Sequence, residues 1–253
     1  MPAPAAVPAR TESRQRWRLT FARAATSDRE ATAGRDYVAL WEQALVECGL
    51  PVATTDAGRL RFSLAAPLPA RTSGRAELAD LWLTRRLAAW RVRESLEGRL
   101  PSEHQLISLE DVWLGAPALA GRVAAADYLV TFGGLVDGEV MAAAAERLLA
   151  ADRLDRKRAK GGGVKTYDLR PLLISIDVAV DRASAGLEAA PMSGAEDARD
   201  QRVVVRLRTR IHPELGSGRP DEVIAALADD LGLPLEPLET VREGLVLGDD
   251  LRR

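Results

Sequence analysis

The chain has 253 residues, of which 47% are hydrophobic and 28% are charged, and these proportions are ordinary for a globular protein. The formal net charge of −2 excludes a surface that is basic throughout, so any nucleic-acid site must be a local patch. A single cysteine, Cys48, excludes an internal disulfide and a cysteine-ligated zinc or iron–sulfur site within the chain. No apolar run of 18 residues occurs, and the sequence predicts a cytoplasmic protein without a membrane span.

The first half of the chain predicts a βαββαβ order of elements. Residues 1–14 are rich in proline and lack the apolar core of a signal peptide, so they are predicted to form a disordered tail. From Arg16, "RWRLTFAR" alternates apolar side chains with arginines, which is typical of a half-buried strand. A helix with apolar residues at helical spacing follows and ends at Gly49. The remaining predicted elements are the strand "RLRFSLA", the strand "AELADLWLTRRL", the helix "WRVRESLEGRLP" and the strand "HQLISLEDVWL".

The second half repeats this order when one strand is set aside. Its predicted elements are the strand "AADYLVTFG", the helix "DGEVMAAAAERLLA", the basic strand or arm "DRLDRKRA", the strand "RVVVRLRTR", the helix "RPDEVIAALADDLG" and the strand "LETVREGLVL". The run "LRPLLISIDVAV" is the strand left over. Residues 182–200 are small and polar without periodicity, which predicts a flexible insert.

These element orders predict an α+β fold of two tandem ferredoxin-like (βαββαβ) domains with mainly antiparallel sheets. The domains would cover residues 15–114 and 122–250, the second with the extra strand and the insert. Pro117 and the small residues around it mark a junction near Gly115–Arg122. One continuous α+β domain is the competing interpretation, because no sequence identity between the halves supports a duplication.

A basic arm precedes and enters the segment "YDLRP" in the second half. Positive charge is concentrated between residues 153 and 170, where "KGGG" gives the backbone freedom to approach a ligand. Clusters of this kind contact the phosphate backbone of nucleic acids. The predicted RNA- or anion-binding residues are Arg156, Lys157, Arg158, Lys160, Lys165, Arg170 and Arg219. The alternative is a strand edge whose charges prevent aggregation.

The segment "YDLRP" contains the candidate catalytic residue. Pro171 predicts an extended conformation for Arg170, which would place Asp168 and Arg170 on one face of the chain. Asp168 is a candidate nucleophile or general acid/base if it is buried beside a cation. The alternative is that the two side chains form a structural Asp–Arg clamp.

Two further segments predict helix starts. In "SGRPDEV", Pro220 fits the first position of a helix, and Asp221 complements the positive end of its dipole. The glycine–serine turn before Arg219 could also hold an anion at the helix N-terminus. In "AGRDYVALW", Asp36 is predicted to cap the first helix.

Over about residues 15–248 the chain resembles the radical-SAM-linked domain family of unknown function. Members of that family are fused to, or encoded beside, cobalamin-binding radical SAM proteins. The most specific shared segments are the lysine–aspartate–arginine–proline stretch, matched at Lys165, Asp168, Arg170 and Pro171, and the helix start matched at Arg219, Pro220 and Asp221.

The chain also departs from the pattern of that family. A histidine–leucine–aspartate motif usually precedes the first helix, and here "GRD" at 34–36 keeps the aspartate without the histidine. The family's glycine–phenylalanine–asparagine–proline segment is replaced by "TTDAGRLR" at 54–61. If these segments build a shared site, this protein has altered it.

Three functional hypotheses follow. The first, which the basic arm favours, is a non-catalytic accessory module that presents RNA or another anionic substrate to a radical SAM enzyme. This chain would then hold no cofactor and no metal, and the radical SAM partner would carry the iron–sulfur cluster. The second is an RNA-modifying enzyme that uses Asp168 in a cleft between sheets, with Arg170 orienting a phosphate. The third is a protein-interaction scaffold.

Overall fold

The computed structural model describes residues 10–25, 34–133, 136–160, 163–182 and 201–248. The chain divides into two compact units, of which unit 1 ends at Val123 and unit 2 begins at Ala124. The architecture is mixed α+β, with mostly antiparallel strands and, over the described ranges, four α-helices. None of these helices is both long and apolar enough to span a membrane. The insert predicted at 182–200 lies, beyond its first residue, outside the described residues.

Unit 1 is built on β1, which is paired on both sides. Its elements are β1 (Gln15–Arg23), α1 (Gly34–Glu47), β2 (Phe62–Leu64), β3 (Ser73–Leu83), α2 (Ala89–Leu96) and β4 (His104–Val112). β1 is antiparallel to both β3 and β4, and β2 is antiparallel to β3. The resulting order is β4-β1-β3-β2, in a chain that runs βαββαβ as predicted.

Both faces of β1 are buried, although the alternation predicted that only one would be. Trp17, Leu19 and Phe21 enter the hydrophobic core of unit 1. On the other face, the side chain of Arg16 is only 1% exposed, and its Nη2 donates to Oδ2 of Asp80 at 2.5 Å. Arg18 Nε donates to the other oxygen of the same carboxylate at 3.0 Å. The prediction of a half-buried strand is wrong because an aspartate on the neighbouring strand lets both arginines enter the interior.

The segment 10–14 belongs to the folded part of unit 1. The backbone amide of Thr11 donates to the carbonyl of Thr54 at 3.3 Å, and the Thr54 amide donates to Oγ1 of Thr11 at 2.7 Å. The Arg14 amide donates to the carbonyl of Leu83 at 2.8 Å. The predicted disordered tail is therefore wrong for residues 10–14, because these hydrogen bonds continue the pairing beyond β1. Residues 1–9 lie outside the described range.

Unit 2 is built on β5 and β9. Its elements are β5 (Val123–Phe132), α3 (Gly138–Ala150), β6 (Asp155–Lys160), β7 (Gly163–Asp168), β8 (Leu173–Arg182), β9 (Gln201–His212), β10 (Gly216–Ser217), α4 (Pro220–Leu231) and β11 (Glu239–Leu247). β5 and β8 are both antiparallel to β9, the short β10 pairs with the end of β9, and β11 lies beside β5. The strands therefore follow the order β11-β5-β9-β8.

The extra element of unit 2 is a hairpin, and the prediction that "LRPLLISIDVAV" is the extra strand is wrong. That run forms β8, which pairs with β9 over most of its length. The basic arm instead forms β6, which pairs only with β7 in a separate two-stranded sheet. The physical reason is burial: Leu172, Leu173 and Ile176 enter the core of unit 2, whereas β6 carries charged side chains that a central strand could not bury.

The two helices of unit 2 begin and end at residues that suit those positions. Asp137 caps α3, because its Oδ1 accepts from the amides of Glu139 at 2.8 Å and Val140 at 3.2 Å. α4 begins at Pro220 as predicted and ends before Gly232, whose φ of 67° lies in the left-handed region that glycine tolerates.

Candidate functional site

Two arginines of the basic arm, Arg156 and Arg158, attach the β6–β7 hairpin to α4. Arg156 Nη1 donates to Oδ2 of Asp229 at 2.5 Å. Arg158 makes a bidentate pair with Glu222, in which Nε and Nη2 each lie 2.6 Å from a carboxylate oxygen. The arginines are two residues apart on a strand and the acids seven apart on a helix, so each pair lies on one face. Both guanidiniums are therefore already in ion pairs with carboxylates of α4.

Tyr167 completes the contact between the hairpin and α4. It is opposite Arg156 in the hairpin register, and the guanidinium of Arg158 lies 5.0 Å from its ring centroid. Burial, and then the neighbouring Glu222 carboxylate, raise the pKa of Tyr167, so the side chain remains a neutral phenol at physiological pH.

The lysines of the arm have a different position from the arginines. Lys157 is exposed on the opposite face of β6, and within the described part of the chain it has no ion pair or side-chain hydrogen bond. The side chains of Lys160 and Lys165 lie outside the described part of the structure, as does that of Asp36. Of the predicted arm residues with described side chains, Lys157 alone is free to contact a ligand.

Asp168 and Arg170 stabilise a turn. Arg170 begins a single 3₁₀ turn that ends at Leu172, so the predicted extended conformation is wrong; proline is compatible with the first turn of a helix. Oδ1 of Asp168 accepts from the amides of Leu154 at 2.8 Å and Arg170 at 3.0 Å. Arg170 Nε donates to the carbonyl of Leu149 at 2.9 Å, and its Nη1 to that of Leu173 at 3.2 Å. The contacts of both side chains are thus with backbone groups.

Arg219 and the glycines before it also serve the fold. Arg219 makes a bidentate pair with Asp221, with both N–O distances at 2.9 Å. Gly216 has a φ of 93°, which favours glycine. A Cβ on Gly218 would lie 2.9 Å from Cβ of Thr209 and 3.0 Å from the Leu172 carbonyl oxygen. The positive φ of Gly216 and the close packing at Gly218 therefore account for the glycines of the predicted anion-binding turn.

Unit 1 contains a surface on which most of the arginines lack an acidic partner among the described residues. Three adjacent pockets line it, and six of their lining residues are arginines while two, Glu12 and Glu94, are acidic. We call this surface the arginine track, and its arginines are Arg10, Arg14, Arg61, Arg85, Arg86 and Arg91. Backbone pairing between residues 11–14 and the ends of β3 and its neighbours brings these distant segments together.

The middle pocket of the track has a volume of about 620 Å³ and is lined by Arg14, Thr84, Arg85 and Arg86. Arg14 is paired with Glu12 at 2.9 Å. Arg85 and Arg86 are exposed, and neither has an ion pair or side-chain hydrogen bond with any described residue. Two adjacent uncompensated cations in a concave surface attract anions.

A second pocket of the track shares Arg85 with the middle pocket and adds an aromatic side chain. It has a volume of about 280 Å³, and its lining includes Pro51, Trp90 and Arg91. Trp90 is 62% exposed, and the guanidinium of Arg91 lies 5.2 Å from its ring centroid. An exposed indole beside cations offers a planar surface on which a nucleobase can stack.

The sequence prediction missed the arginine track because its residues come from separate segments. Arg85 and Arg86 were included at the end of a predicted strand, where the structure has a bend after β3 ends at Leu83. The available signal was the run "TRRLAAWR", in which three arginines and a tryptophan occur within eight residues without an acid.

A second group of titratable side chains lies in the core of unit 1. Nδ1 of His104 donates to the Ser102 carbonyl at 2.8 Å, so Nε2 accepts from the Tyr37 hydroxyl at 2.7 Å. Burial lowers the pKa of His104 and raises that of Tyr37. Packing against Phe21 and Trp41 indicates a structural anchor for α1. No group of three His, Cys, Asp or Glu side chains that could hold a metal occurs among the described residues.

Comparisons with known proteins give a family and a distant structural neighbour. A family model described as "Uncharacterized protein conserved in bacteria (DUF2344)" matches residues 16–205. No curated protein gives a match. The crystal structure of a Cbf5-Nop10-Gar1 complex is similar to this chain with a TM-score of 0.40 and 10% sequence identity. That match covers 89% of this chain and 47% of the other, so this chain spans less than half the length of its neighbour.

Proposed function

The chain belongs to the DUF2344 family of uncharacterized proteins conserved in bacteria, and from this premise we propose that it is a non-catalytic module that binds single-stranded RNA along the arginine track. One observation carries the proposal: Arg85 and Arg86 are exposed, have no partner among the described residues, and line a pocket next to the one that contains Trp90. Cations that follow a phosphate backbone, together with aromatic rings that stack on bases, are how proteins bind single strands.

The ion pairs of the basic arm are the reason that we place the proposed binding surface on the arginine track and not on the arm. Arg156 and Arg158 already neutralise Asp229 and Glu222, so an RNA phosphate would have to displace a carboxylate from each. Arg85 and Arg86 impose no such cost. The contacts of Asp168 with two backbone amides likewise support a structural role, and no observation favours the alternative of an RNA-modifying enzyme.

We further propose that each unit is a ferredoxin-like domain. The orders β4-β1-β3-β2 in unit 1 and β11-β5-β9-β8 in unit 2 support this assignment, once the β6–β7 hairpin is treated as an insertion. In this arrangement the first strand of each unit is central and the last lies beside it.

We propose a radical SAM enzyme as the partner of this module, on the basis of the resemblance to radical-SAM-linked proteins. The module would present RNA in the cytoplasm to a radical SAM enzyme that carries the iron–sulfur cluster and performs the chemistry. Affinity capture from the native host, with identification of co-purifying proteins and RNA, tests that partnership. Recovery of RNA without a radical SAM protein would contradict the partnership and leave the RNA-binding proposal intact.

The RNA-binding proposal is tested with a pair of matched double variants. Arg85→Gln with Arg86→Gln should weaken the binding of a fluorescent single-stranded RNA by roughly tenfold at about 50 mM salt, because two phosphate contacts are lost. Trp90→Ala should weaken it by a similar factor, since one stacked base contributes about 1–3 kcal/mol. The measurement is fluorescence anisotropy of an RNA of about 12 nucleotides, a length within the range that single-strand sites occupy.

The control removes the same charge from a different surface. Arg206 and Arg210 are exposed on β9 in unit 2, and neither has an ion pair with a described residue. Arg206→Gln with Arg210→Gln should leave the affinity unchanged within about twofold, although it changes the net charge equally. Equal losses in both double variants would show non-specific attraction and refute the proposal. Tighter binding of duplex than of single-stranded RNA would also refute it.

A further inference from the structure

The third pocket of the arginine track differs from the other two because one of its arginines, Arg61, is partly buried. It has a volume of about 460 Å³ and is lined by Arg10, Thr11, Glu12, Ser13, Arg61, Trp82 and Leu114. Its lining comes from the same chain segments as that of the middle pocket: Ser13 is followed by Arg14, and Trp82 is two residues from Thr84. We call it the terminal pocket.

Positive charge in the terminal pocket exceeds negative charge. Its one acid, Glu12, is held by Arg14, while Arg10 and Arg61 have no acidic partner among the described residues. Behind the pocket, Arg16 lies against the ring of Trp82 at 4.8 Å, and Arg61 lies at 4.7 Å from the same ring. Burial lowers the pKa of Arg61, and the charges of Arg10 and Arg16 lower it further.

Hydrogen-bond donors in this pocket are in excess as well. A guanidinium has five N–H groups, and the side chain of Arg61 makes one hydrogen bond in the described structure, from Nη1 to Oγ of Ser13 at 2.8 Å. Because that oxygen accepts, the hydroxyl proton of Ser13 is still available. Trp82 is 8% exposed, and its Nε1–H has no acceptor among the described residues. The same lack of an acceptor is found at Trp17 and Trp41, and all three indole N–H groups are buried away from the surface, so the donors that the pocket offers to a ligand are those of Arg61 and Ser13.

The walls of the pocket are fixed by backbone hydrogen bonds. The Arg61 amide donates to the Ala53 carbonyl at 2.6 Å, and the Trp82 amide donates to the Arg61 carbonyl at 3.2 Å. Thr11 is held to Thr54 by three contacts. A site whose walls are fixed before binding loses little conformational entropy when a ligand enters.

We infer that the terminal pocket binds a phosphate monoester at one end of the RNA. This inference rests on the proposed function, because the RNA on the track delivers its end to the pocket. An internal phosphodiester carries one negative charge, whereas a phosphate monoester carries about −1.5 to −2 at pH 7 and has three acceptor oxygens. Two arginines without an acidic partner among the described residues, together with the remaining N–H groups of Arg61 and the Ser13 hydroxyl, match the monoester in both charge and number of hydrogen bonds.

The inference is tested by competition among RNAs that differ only at their ends. Three octanucleotides of one sequence, with a 5′-phosphate, a 3′-phosphate or hydroxyl groups at both ends, compete against a fluorescent reporter RNA for the full-length protein. One phosphorylated RNA should bind about tenfold more tightly than the hydroxyl-ended RNA, which is the effect of one good charge-assisted contact. The comparison also identifies which end the pocket accepts.

Substitutions test whether the preference for the phosphorylated RNA comes from the terminal pocket. Arg61→Gln should reduce the preference for the phosphorylated RNA to less than about twofold, because the phosphorylated RNA loses more affinity than the hydroxyl-ended RNA when this guanidinium is removed. Arg59→Gln is the matched control, because Arg59 is two residues away, is paired with Glu42 and does not line the pocket. It should retain the full preference.

The outcomes separate this inference from the proposed function. If all three octanucleotides bind equally well, the terminal-pocket inference is wrong and RNA binding stands. If none competes with the reporter, both are wrong. Inorganic phosphate is included as a fourth competitor: if it displaces the phosphorylated RNA at equal concentration, the pocket is a site for free phosphate and the inference is overturned.

Discussion

At the scale of single residues, the sequence shows where positive charge lies but not which negative charge neutralises it. Arg156 and Arg85 stand in equally basic segments, yet Arg156 is paired with Asp229, 73 positions along the chain, and Arg85 has no described partner. The pairing of Asp80 with Arg18 depends on the register of β1 and β3. Even the local pair of Arg219 and Asp221, which are two positions apart, was not predicted, because the sequence pattern favours an anion for Arg219 and the helix dipole for Asp221.

His104 gives a prediction at this scale. Its pKa is lowered by burial, so below the ordinary histidine pKa of about 6.5 the unfolded chain binds a proton that the folded protein does not. The free energy of unfolding should therefore fall as the pH drops below about 6.5, by up to about 1.4 kcal/mol per pH unit. Urea unfolding at pH 7.5 and pH 5.5 measures this loss.

The control for this prediction is His104→Gln, which keeps polar groups near Tyr37 but does not titrate. The difference in unfolding free energy between parent and variant should shrink from pH 7.5 to pH 5.5, because only the parent takes up a proton on unfolding. A parent and a variant that lose stability in parallel would show that another group is responsible.

At the scale of elements, local sequence signals predict boundaries better than partners. Pro220 and Gly232 mark the ends of α4, and the alternation of "RVVVRLRTR" predicts β9, because both signals depend on neighbouring residues alone. The basic arm and "LRPLLISIDVAV" both have the pattern of a strand, and periodicity alone does not indicate which of the two pairs with β9. The relative cost of burying charged β6 or apolar β8 decides this, and that cost depends on the whole unit.

The β6–β7 hairpin gives a prediction at this scale. Glu222 is 13% exposed, and Arg158→Met would leave its carboxylate without its partner. The variant should lose about 1–3 kcal/mol of unfolding free energy, which urea denaturation would measure. Lys157→Met, on the exposed face of the same strand, is the control and should change the stability by less than about 0.5 kcal/mol. Equal effects of the two substitutions would contradict the attachment of the hairpin to α4 through Arg158.

At the scale of the whole molecule, the candidate site is a product of folding rather than of a motif. The arginine track combines residues 10–14, Arg61 and residues 82–95, and no local pattern connects these segments. A net charge of −2 predicted that any nucleic-acid site would be a local patch, and the track that we propose for RNA is of that kind. Its location had to come from the structure, because the most basic stretch of sequence is occupied by internal ion pairs.

The small extent of the track limits the salt dependence of RNA binding. Arg14 is already paired, and five arginines remain, so the slope of log affinity against log salt should have a magnitude of no more than about 3.5, at about 0.7 per phosphate on a single strand. Anisotropy titrations between about 50 and 200 mM salt provide the slope. A magnitude above about 5 would mean that RNA contacts a wider surface than the track.

The sharing of Asp80 between two buried arginines has a consequence for the evolution of the family. Replacing Asp80 alone would leave Arg16 and Arg18 in the interior without a counter-charge, at a cost of about 3–5 kcal/mol. Replacing all three by apolar residues of similar volume would be nearly neutral. Sequences in which position 80 is no longer acidic should therefore have lost the arginines at positions 16 and 18 as well, so that the three positions vary together.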